Sequence, residues 1–428
     1  MANTQLATVQ PNAAVDDLRS PCSDLIASDE QFPQLPPEVY IGVLGEFADL
    51  YSRHYESPKE FFWFDALIVA ATVLSGRVRA DFGDLEPHTR LYGFKIGPSG
   101  TSKKSSSFKI AKKFVTGAVS QATGDDVFAT NDQSAQDEAL RVLSGAGSGE
   151  GLAVALTRNH RVLLYFDEFE RFLKKAGAES SILGMIVNEL FESLEFSNVT
   201  RDRDTHLSDA HLGFATNMSL EQFESVSGVN QLVEIGLWNR QTFVVGNRRH
   251  KCPTVSAPSK ARVEELTTKL ANMLAPYVSR HEETILPLTP EAKALWASID
   301  DVIGTDEDTT RLDTIGMRMM TVLAVTSGKK EIDADVIRAT FAFLKYQKTI
   351  RQRYKPSQAE TVDAKIEAAI LKQLKRRGPL SDRDLERYAN ASRYGTLAFK
   401  KVRDVLEQDR KIRRRKTDKL WESSESIQ

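Results

Sequence analysis

Between residues 90 and 250, short apolar runs alternate with longer stretches of helical periodicity. This alternation constrains the fold more than any other feature of the 428-residue chain. The runs 91–96, 127–130, 162–166, 211–215 and 242–246 are rich in β-branched and aromatic residues, as strands buried on both faces are. Helices are expected over 106–118, 134–143 and 183–194. Strands joined by crossover helices pair in parallel, so the segment predicts an α/β layer built on a parallel sheet flanked by helices. The alternating glycines Gly145, Gly147, Gly149 and Gly151 follow no predicted strand, and they read as a loop rather than a phosphate cradle.

The flanks are of other kinds. Residues 1–36 are polar, end in a proline-rich stretch and read as a disordered N-terminal arm. Residues 37–89 read as a helical segment, with helices at 38–54 and 57–74, packed on a core at 90–255. From 256 to 354 the pattern is helical, with Pro287 and Pro290 as breakers and helices at 310–326 and 333–354, and this stretch is the expected lid. A linker at 355–361 leads to a compact unit at 362–422. There, helices at 363–377, 382–389 (with Ser381 as N-cap) and 396–408 precede a hairpin turning at Thr417-Asp418, the pattern of a winged helix.

A composition of 41% hydrophobic and 27% charged residues excludes collagen-like, mucin-like and wholly disordered chains. Two cysteines, Cys22 and Cys252, exclude a disulfide framework and a cysteine-based zinc site. No basic-then-apolar leader opens the chain. The longest apolar run, 61–75, is broken by Asp65 and falls short of the roughly 20 residues of a spanning helix. A core helix, no membrane partner and a cytoplasmic location are expected. Charge is uneven: residues 1–90 hold 14 acidic against 6 basic side chains, and residues 361–428 hold 18 basic against 11 acidic. A polyanion partner is therefore expected for the C-terminal unit alone.

Chemistry concentrates after the first predicted strand, in Gly97-Pro98-Ser99-Gly100-Thr101-Ser102-Lys103-Lys104-Ser105. A strand, a glycine-rich loop and a helix start are what a P-loop requires. Main-chain N–H groups surround phosphate, a lysine reaches the outer phosphates and a hydroxyl binds Mg²⁺. Two registers are open. With Lys103 as the lysine, Ser102 replaces the last glycine and Lys104 replaces the hydroxyl residue. With Lys104 and Ser105 as the pair, the loop is one residue longer. The second is favoured because it keeps the hydroxyl next to the lysine. The strand at 162–166 then ends in Asp167-Glu168, an aspartate to hold Mg²⁺ and a glutamate to polarise the attacking water. Asn217 ends the next strand, where a sensor for the terminal phosphate would sit.

Arg240, in Leu237-Trp238-Asn239-Arg240, precedes the last strand and is a candidate finger for a neighbouring subunit's nucleotide. Arg311 and Arg318 are seven apart on one helix face, and either is a candidate sensor arginine in cis. Two regions are candidates for DNA. One is the C-terminal unit, with Arg393, Lys400, Lys401 and Arg403 on or before a recognition helix and Lys411, Arg413, Arg414, Arg415 and Lys416 on a wing. The other is the stretch 198–209, with Arg201, Arg203 and His206, whose alternating Arg-Asp also reads as a self-paired surface loop.

Taken together, the order of phosphate loop, Asp-Glu strand, Asn strand, Leu-Trp-Asn-Arg, helical lid and winged helix resembles the AAA+ ATPases. It is most similar to the minichromosome-maintenance-like helicases and to the primase-helicase ATPase domains of phages and mobile elements. In the latter the loop often ends in basic-Lys-Ser, like Lys103-Lys104-Ser105. The resemblance covers roughly 35–422 and implies a homo-oligomeric ring, a hexamer, with ATP and Mg²⁺ held between subunits. It gives Lys104 and Ser105 to phosphate and Mg²⁺, Asp167 to the metal, Glu168 to the base, Asn217 to the first sensor, Arg240 to the trans finger and Arg311 to the second sensor. In the helicases that the sequence resembles, a hairpin at the place of 198–209 lines the central channel. The stretch ahead of the ATPase is too short for a primase catalytic domain, so a stand-alone DNA helicase, loader or replication initiator is expected. The alternatives are an ATP-switched DNA-binding regulator and a nucleotide-binding scaffold that does not hydrolyse, which Ser102 makes possible.

Overall fold

A computed structural model describes residues 32–124, 140–178, 181–199, 204–224, 236–248, 250–251, 256–280, 282–354 and 362–424. At its centre is a parallel five-stranded sheet in the order Arg141–Ser144, Arg161–Phe166, His211–Ser219, Tyr92–Gly97, Thr242–Val245. Successive side chains of a strand point to opposite faces. On one face Gly93 and Gly213 let the buried helix Lys59–Leu74 approach closely. A Cβ on Gly213 would lie 2.1 Å from Thr72 Oγ1, and one on Gly93 would lie 2.8 Å from the Phe64 ring. On the other face Tyr92, Phe94 and Phe214 form an aromatic layer with Phe169, Phe172 and Phe191. Each large apolar side chain buried in these layers contributes about 1.5–3 kcal/mol.

The helical flanks do not stand apart from the sheet. One continuous hydrophobic cluster runs from Phe32 to Tyr354 and takes in the helices Gly42–His54, Lys59–Leu74, Lys260–Val278, Leu312–Thr326 and Ala334–Arg353. Helix Lys260–Val278 lies along helix Lys104–Thr123. Phe32 and Leu35 are buried in this cluster, so the end of the expected arm is docked, while residues 1–31 lie outside the described residues. The expected helix at 38–54 divides into a 3₁₀ turn, Pro37–Val39, and helix Gly42–His54, where Gly42 has a positive φ.

Several other expectations are corrected. Residues 127–130 lie outside the described residues, and the end of the expected helix 134–143 is instead the edge strand Arg141–Ser144. The glycine cluster therefore follows a strand and opens a helix, Gly149–Arg158, capped by Ser148. Thr284–Leu286, in the expected all-helical stretch, pairs in parallel with Val78–Ala80. Cys22, Cys252 and the linker 355–361 lie outside the described residues.

The C-terminal unit has a core of its own, from Ile366 to Trp421. Helices Val362–Arg377, Asp382–Tyr388, Ala391–Tyr394 and Thr396–Gln408 lead into an antiparallel pair, Ile412–Arg414 with Trp421–Ser423. Leu380 bridges Trp421, and Ser381 caps its helix by accepting from the Asp384 N–H at 3.2 Å. The two cores meet where the Arg376 guanidinium lies 4.9 Å above the Tyr354 ring, which packs on Phe223.

Candidate functional site

Parallel strands bring their carboxyl ends to one edge, and there the two sequence motifs meet. Residues Ser99, Gly100, Lys103, Lys104 and Ser105 face Asp167, Glu168 and Asn217 across a cavity of about 440 Å³, with Met218, Ser219 and Gln222 alongside. Ser105 Oγ donates to Asp167 Oδ1 across 62 residues of sequence. Asn217 Nδ2 donates to the same oxygen at 2.9 Å. Burial pushes the Asp167 carboxyl up, but the hydrogen bonds from Ser105, Tyr165 and Asn217, with Lys95 behind them, outweigh it and hold the group below the ordinary aspartate value.

Of the two candidate lysines, Lys104 begins the helix and Lys103 precedes it. Lys103 adopts the left-handed conformation, φ 50°, which glycine takes at no steric cost, and helix Lys104–Thr123 starts directly after it. Lys104 curls back over the loop, donating to the Gly97 carbonyl at 2.7 Å and the Pro98 carbonyl at 3.3 Å. Burial, and after it the positive charge of Lys95, press the Lys104 ammonium down to about 8. Gly97 is required by space, because a Cβ there would lie 2.4 Å from the Gly246 carbonyl. Ser102 is turned inward and donates to the Pro98 carbonyl at 2.8 Å. Gly97, Thr101 and Ser102 therefore shape the loop without lining the cavity.

Glu168 lines the cavity but is exposed and paired with Arg171 at 3.1 Å. Tyr165, which reads in sequence as one more apolar strand residue, belongs to the site. Its hydroxyl donates to Asp167 Oδ1 at 2.8 Å and accepts from Asn217 at 2.8 Å, while its ring stacks on Phe108 at 3.7 Å. Asn217 Oδ1 is buried without a hydrogen-bond partner, a state that a donor inside the cavity would relieve. A hydroxyl, a carboxylate and an ammonium around a space of this size suit a hydrated magnesium ion and a phosphate chain.

The arginines lie at the other end of the sheet. Arg240 donates to the Gly236 carbonyl at 2.6 Å and stands 3.6 Å from Glu192, which also pairs with Arg311. Both stand near the start of strand Tyr92–Gly97, whose far end carries the loop, and neither lines the cavity. Arg311 is not on the helix but caps it in the left-handed conformation, φ 64°. Arg318 is buried, donates to the Phe191 carbonyl at 2.6 Å and lies 4.2 Å above the Phe191 ring. The expectation that Arg311 or Arg318 contacts its own chain's nucleotide is thereby corrected. A seven-residue spacing fixes neither where a helix begins nor which end of the sheet it crosses.

Of the DNA candidates, Arg201 and Arg203 lie outside the described residues, between the paired strands Phe196–Val199 and Asp204–Leu207; His206 bonds Ser197 at 2.9 Å. In the C-terminal unit most of the expected cations are already engaged by carboxylates. Lys411 pairs with Glu367, Arg413 and Arg415 each with Glu422 at 2.6 Å, Arg414 with Asp382 at 2.6 Å, and Arg403 with Asp382 and Asp404 at 2.8 Å. Lys400, Lys401 and Lys416 are not buried and form no ion pair among the described residues. Arg393 lies on the short helix Ala391–Tyr394, with its side chain outside the described positions.

In comparison with known proteins, no family model matches the chain, and no curated protein matches its sequence. Among the described residues, no helix is long and apolar enough to cross a membrane.

Proposed function

We propose that the chain is a magnesium-dependent ATPase of the P-loop, AAA+-like kind that works on DNA as an oligomer. The observation that carries this reading is the Ser105–Asp167 contact, with Lys104 and Asn217 beside it around one cavity. Two motifs read independently from sequence converge there on the donor set that a magnesium triphosphate needs. Bound ATP supplies a phosphoanhydride whose cleavage is strongly favourable in water. Ser105 and Asp167 hold the divalent ion, and Lys104 leaves the loop carbonyls for phosphate oxygens. Glu168, released from Arg171, accepts a proton from the attacking water. Asn217, held by Tyr165, keeps the Asp167 carboxylate aimed into the cavity, and its free Oδ1 accepts from a water molecule there. Arg240 cannot reach its own loop along the sheet, and it serves the phosphates of a neighbouring copy.

The DNA role rests on the C-terminal unit, a winged helix in this reading. Lys400, Lys401 and Lys416 make the first phosphate contacts, and the paired arginines follow as phosphate replaces their carboxylates. The test is turnover of MgATP by the purified chain, with and without single- and double-stranded DNA. Hydrolysis that DNA stimulates and that Glu168→Gln abolishes is the expected result. A chain that neither binds nor hydrolyses MgATP overturns the reading. Hydrolysis indifferent to DNA removes the DNA role and leaves the ATPase.

A further inference from the structure

Asp65 interrupts an otherwise apolar helix, and Lys95 stands on a central strand facing it. Each is 2% exposed, and the Lys95 ammonium donates to the Asp65 carboxylate at 2.6 Å. A buried ion pair of this kind adds little net stability, since apolar residues of similar size often serve as well. The significance lies in the remaining bonds. Lys95 Nζ also donates to the main-chain carbonyl of Lys104 at 2.6 Å and to Ser107 Oγ at 3.0 Å. Ser107 in turn donates to Asp65 at 2.6 Å. One residue earlier, Ser57 donates to the carbonyl of Lys103 at 3.0 Å. Two consecutive carbonyls at the loop-to-helix junction are thus gripped from the side of helix Lys59–Leu74.

A trans peptide points its C=O and its N–H in opposite directions. Holding the carbonyls of Lys103 and Lys104 toward the protein interior therefore turns the N–H groups of Lys104 and Ser105 the other way, toward the cavity. These are among the first N–H groups of their helix, which have no partner within it. The same grip maintains Lys103 in the left-handed conformation that no glycine is there to relax.

We propose that Asp65 and Lys95, together with Ser57, are positioning residues of the phosphate loop. They orient the peptide units on either side of Lys104 so that two main-chain N–H groups and the Ser105 hydroxyl meet a bound triphosphate. The proposal rests on the nucleotide reading above, and it extends that site to the helical segment ahead of the sheet.

The experiment compares the wild-type chain with the double variant Asp65→Leu/Lys95→Met and with Ser57→Ala. Calorimetric titration gives the Kd for MgATP, and thermal unfolding gives Tm. The expected result is a double variant with a Tm within a few degrees of the wild type and a Kd about tenfold weaker, the size of effect that removing a supporting partner has. Ser57→Ala weakens Kd by about threefold to fivefold, as loss of one hydrogen bond would. A merely structural pair would move Tm and leave Kd in place. A folded double variant with the wild-type Kd overturns the proposal. If the double variant does not fold, Ser57→Ala decides, and an unchanged Kd there overturns it equally. A wild-type chain that does not bind MgATP is a separate result, which removes the nucleotide reading itself.

Discussion

At the carboxyl end of the sheet, Lys104, Ser105, Asp167 and Asn217 face an open cavity. At the amino end, Arg90, Arg318 and Arg351 are enclosed and give their N–H groups to main-chain carbonyls. Arg351 alone reaches the carbonyls of Asp308, Thr310, Asn239 and Gln241, at 2.8 to 3.3 Å, and ties together the segments that carry Arg240 and Arg311. Both ends bury polar groups, which is costly unless each is hydrogen-bonded. At the amino end the protein's own carbonyls meet most of that cost, although Arg90 Nη1, Arg318 Nε and Arg351 Nε are buried without a hydrogen-bond partner. The other leaves Asn217 Oδ1 without a partner and a lysine resting on carbonyls it can leave. Unmet bonds occur at both ends; what separates them is access, since Asn217 borders an open cavity while the arginines are enclosed.

Substitutions at the two ends should therefore have opposite signatures. Lys104→Met is expected to lower ATP turnover by about 10²–10³-fold, the loss typical of removing one preorganised charge. It should leave the urea midpoint unchanged or raise it, because a partly buried ammonium is removed. A lower midpoint with normal turnover would reverse the assignment of the two ends. Arg351→Met should do the contrary in denaturation, costing about 3 kcal/mol as four carbonyls lose their partner. An unchanged midpoint would show that the amino end is not held by this clamp.

The third test is pH. The Lys104 ammonium lies near 8, below the ordinary lysine value, so the free site loses its proton as pH rises through that point. Phosphate favours the charged form, so binding above pH 8 takes up a proton and weakens. Kd for MgATP should be about tenfold weaker at pH 9 than at pH 7, as linkage requires for a group near 8. Lys104→Arg, charged throughout, should flatten the profile. A flat profile in the wild type would mean that Lys104 does not meet phosphate. The smallest effect is expected for Lys103→Gly, where relief of the left-handed strain and the added chain entropy offset each other to within about 1 kcal/mol. Its denaturation midpoint is the measurement, and a large destabilisation would show that the Lys103 side chain contributes more than its backbone does.

The strongly buried strands were legible in the sequence because continuous apolar runs leave few alternatives. The edge strand Arg141–Ser144 was not, since it is only partly buried and carries polar residues at both ends. Missing it also hid the strand ahead of the glycine cluster. Ser105, Asp167 and Asn217 were legible because a strand end followed by the right side chain is a local pattern. Tyr165, Asp65 and Lys95 were not, because each gains its role from partners on other elements. The cations of the C-terminal hairpin show the converse: counting them reveals nothing of Glu367, Asp382 and Glu422, which pair with Lys411, Arg414 and Arg415.

The unbroken interior from Phe32 to Tyr354 bears on how such a molecule could perform work. Packed interiors resist deformation, so the helices before and after the sheet are not free to swing as a separate flap. Arg376 roofs Tyr354 at the seam between two interiors that share no side chains. Phe223, next to Gln222 of the cavity wall, packs against that same tyrosine. The cavity wall is thereby one aromatic contact away from the seam with the C-terminal unit.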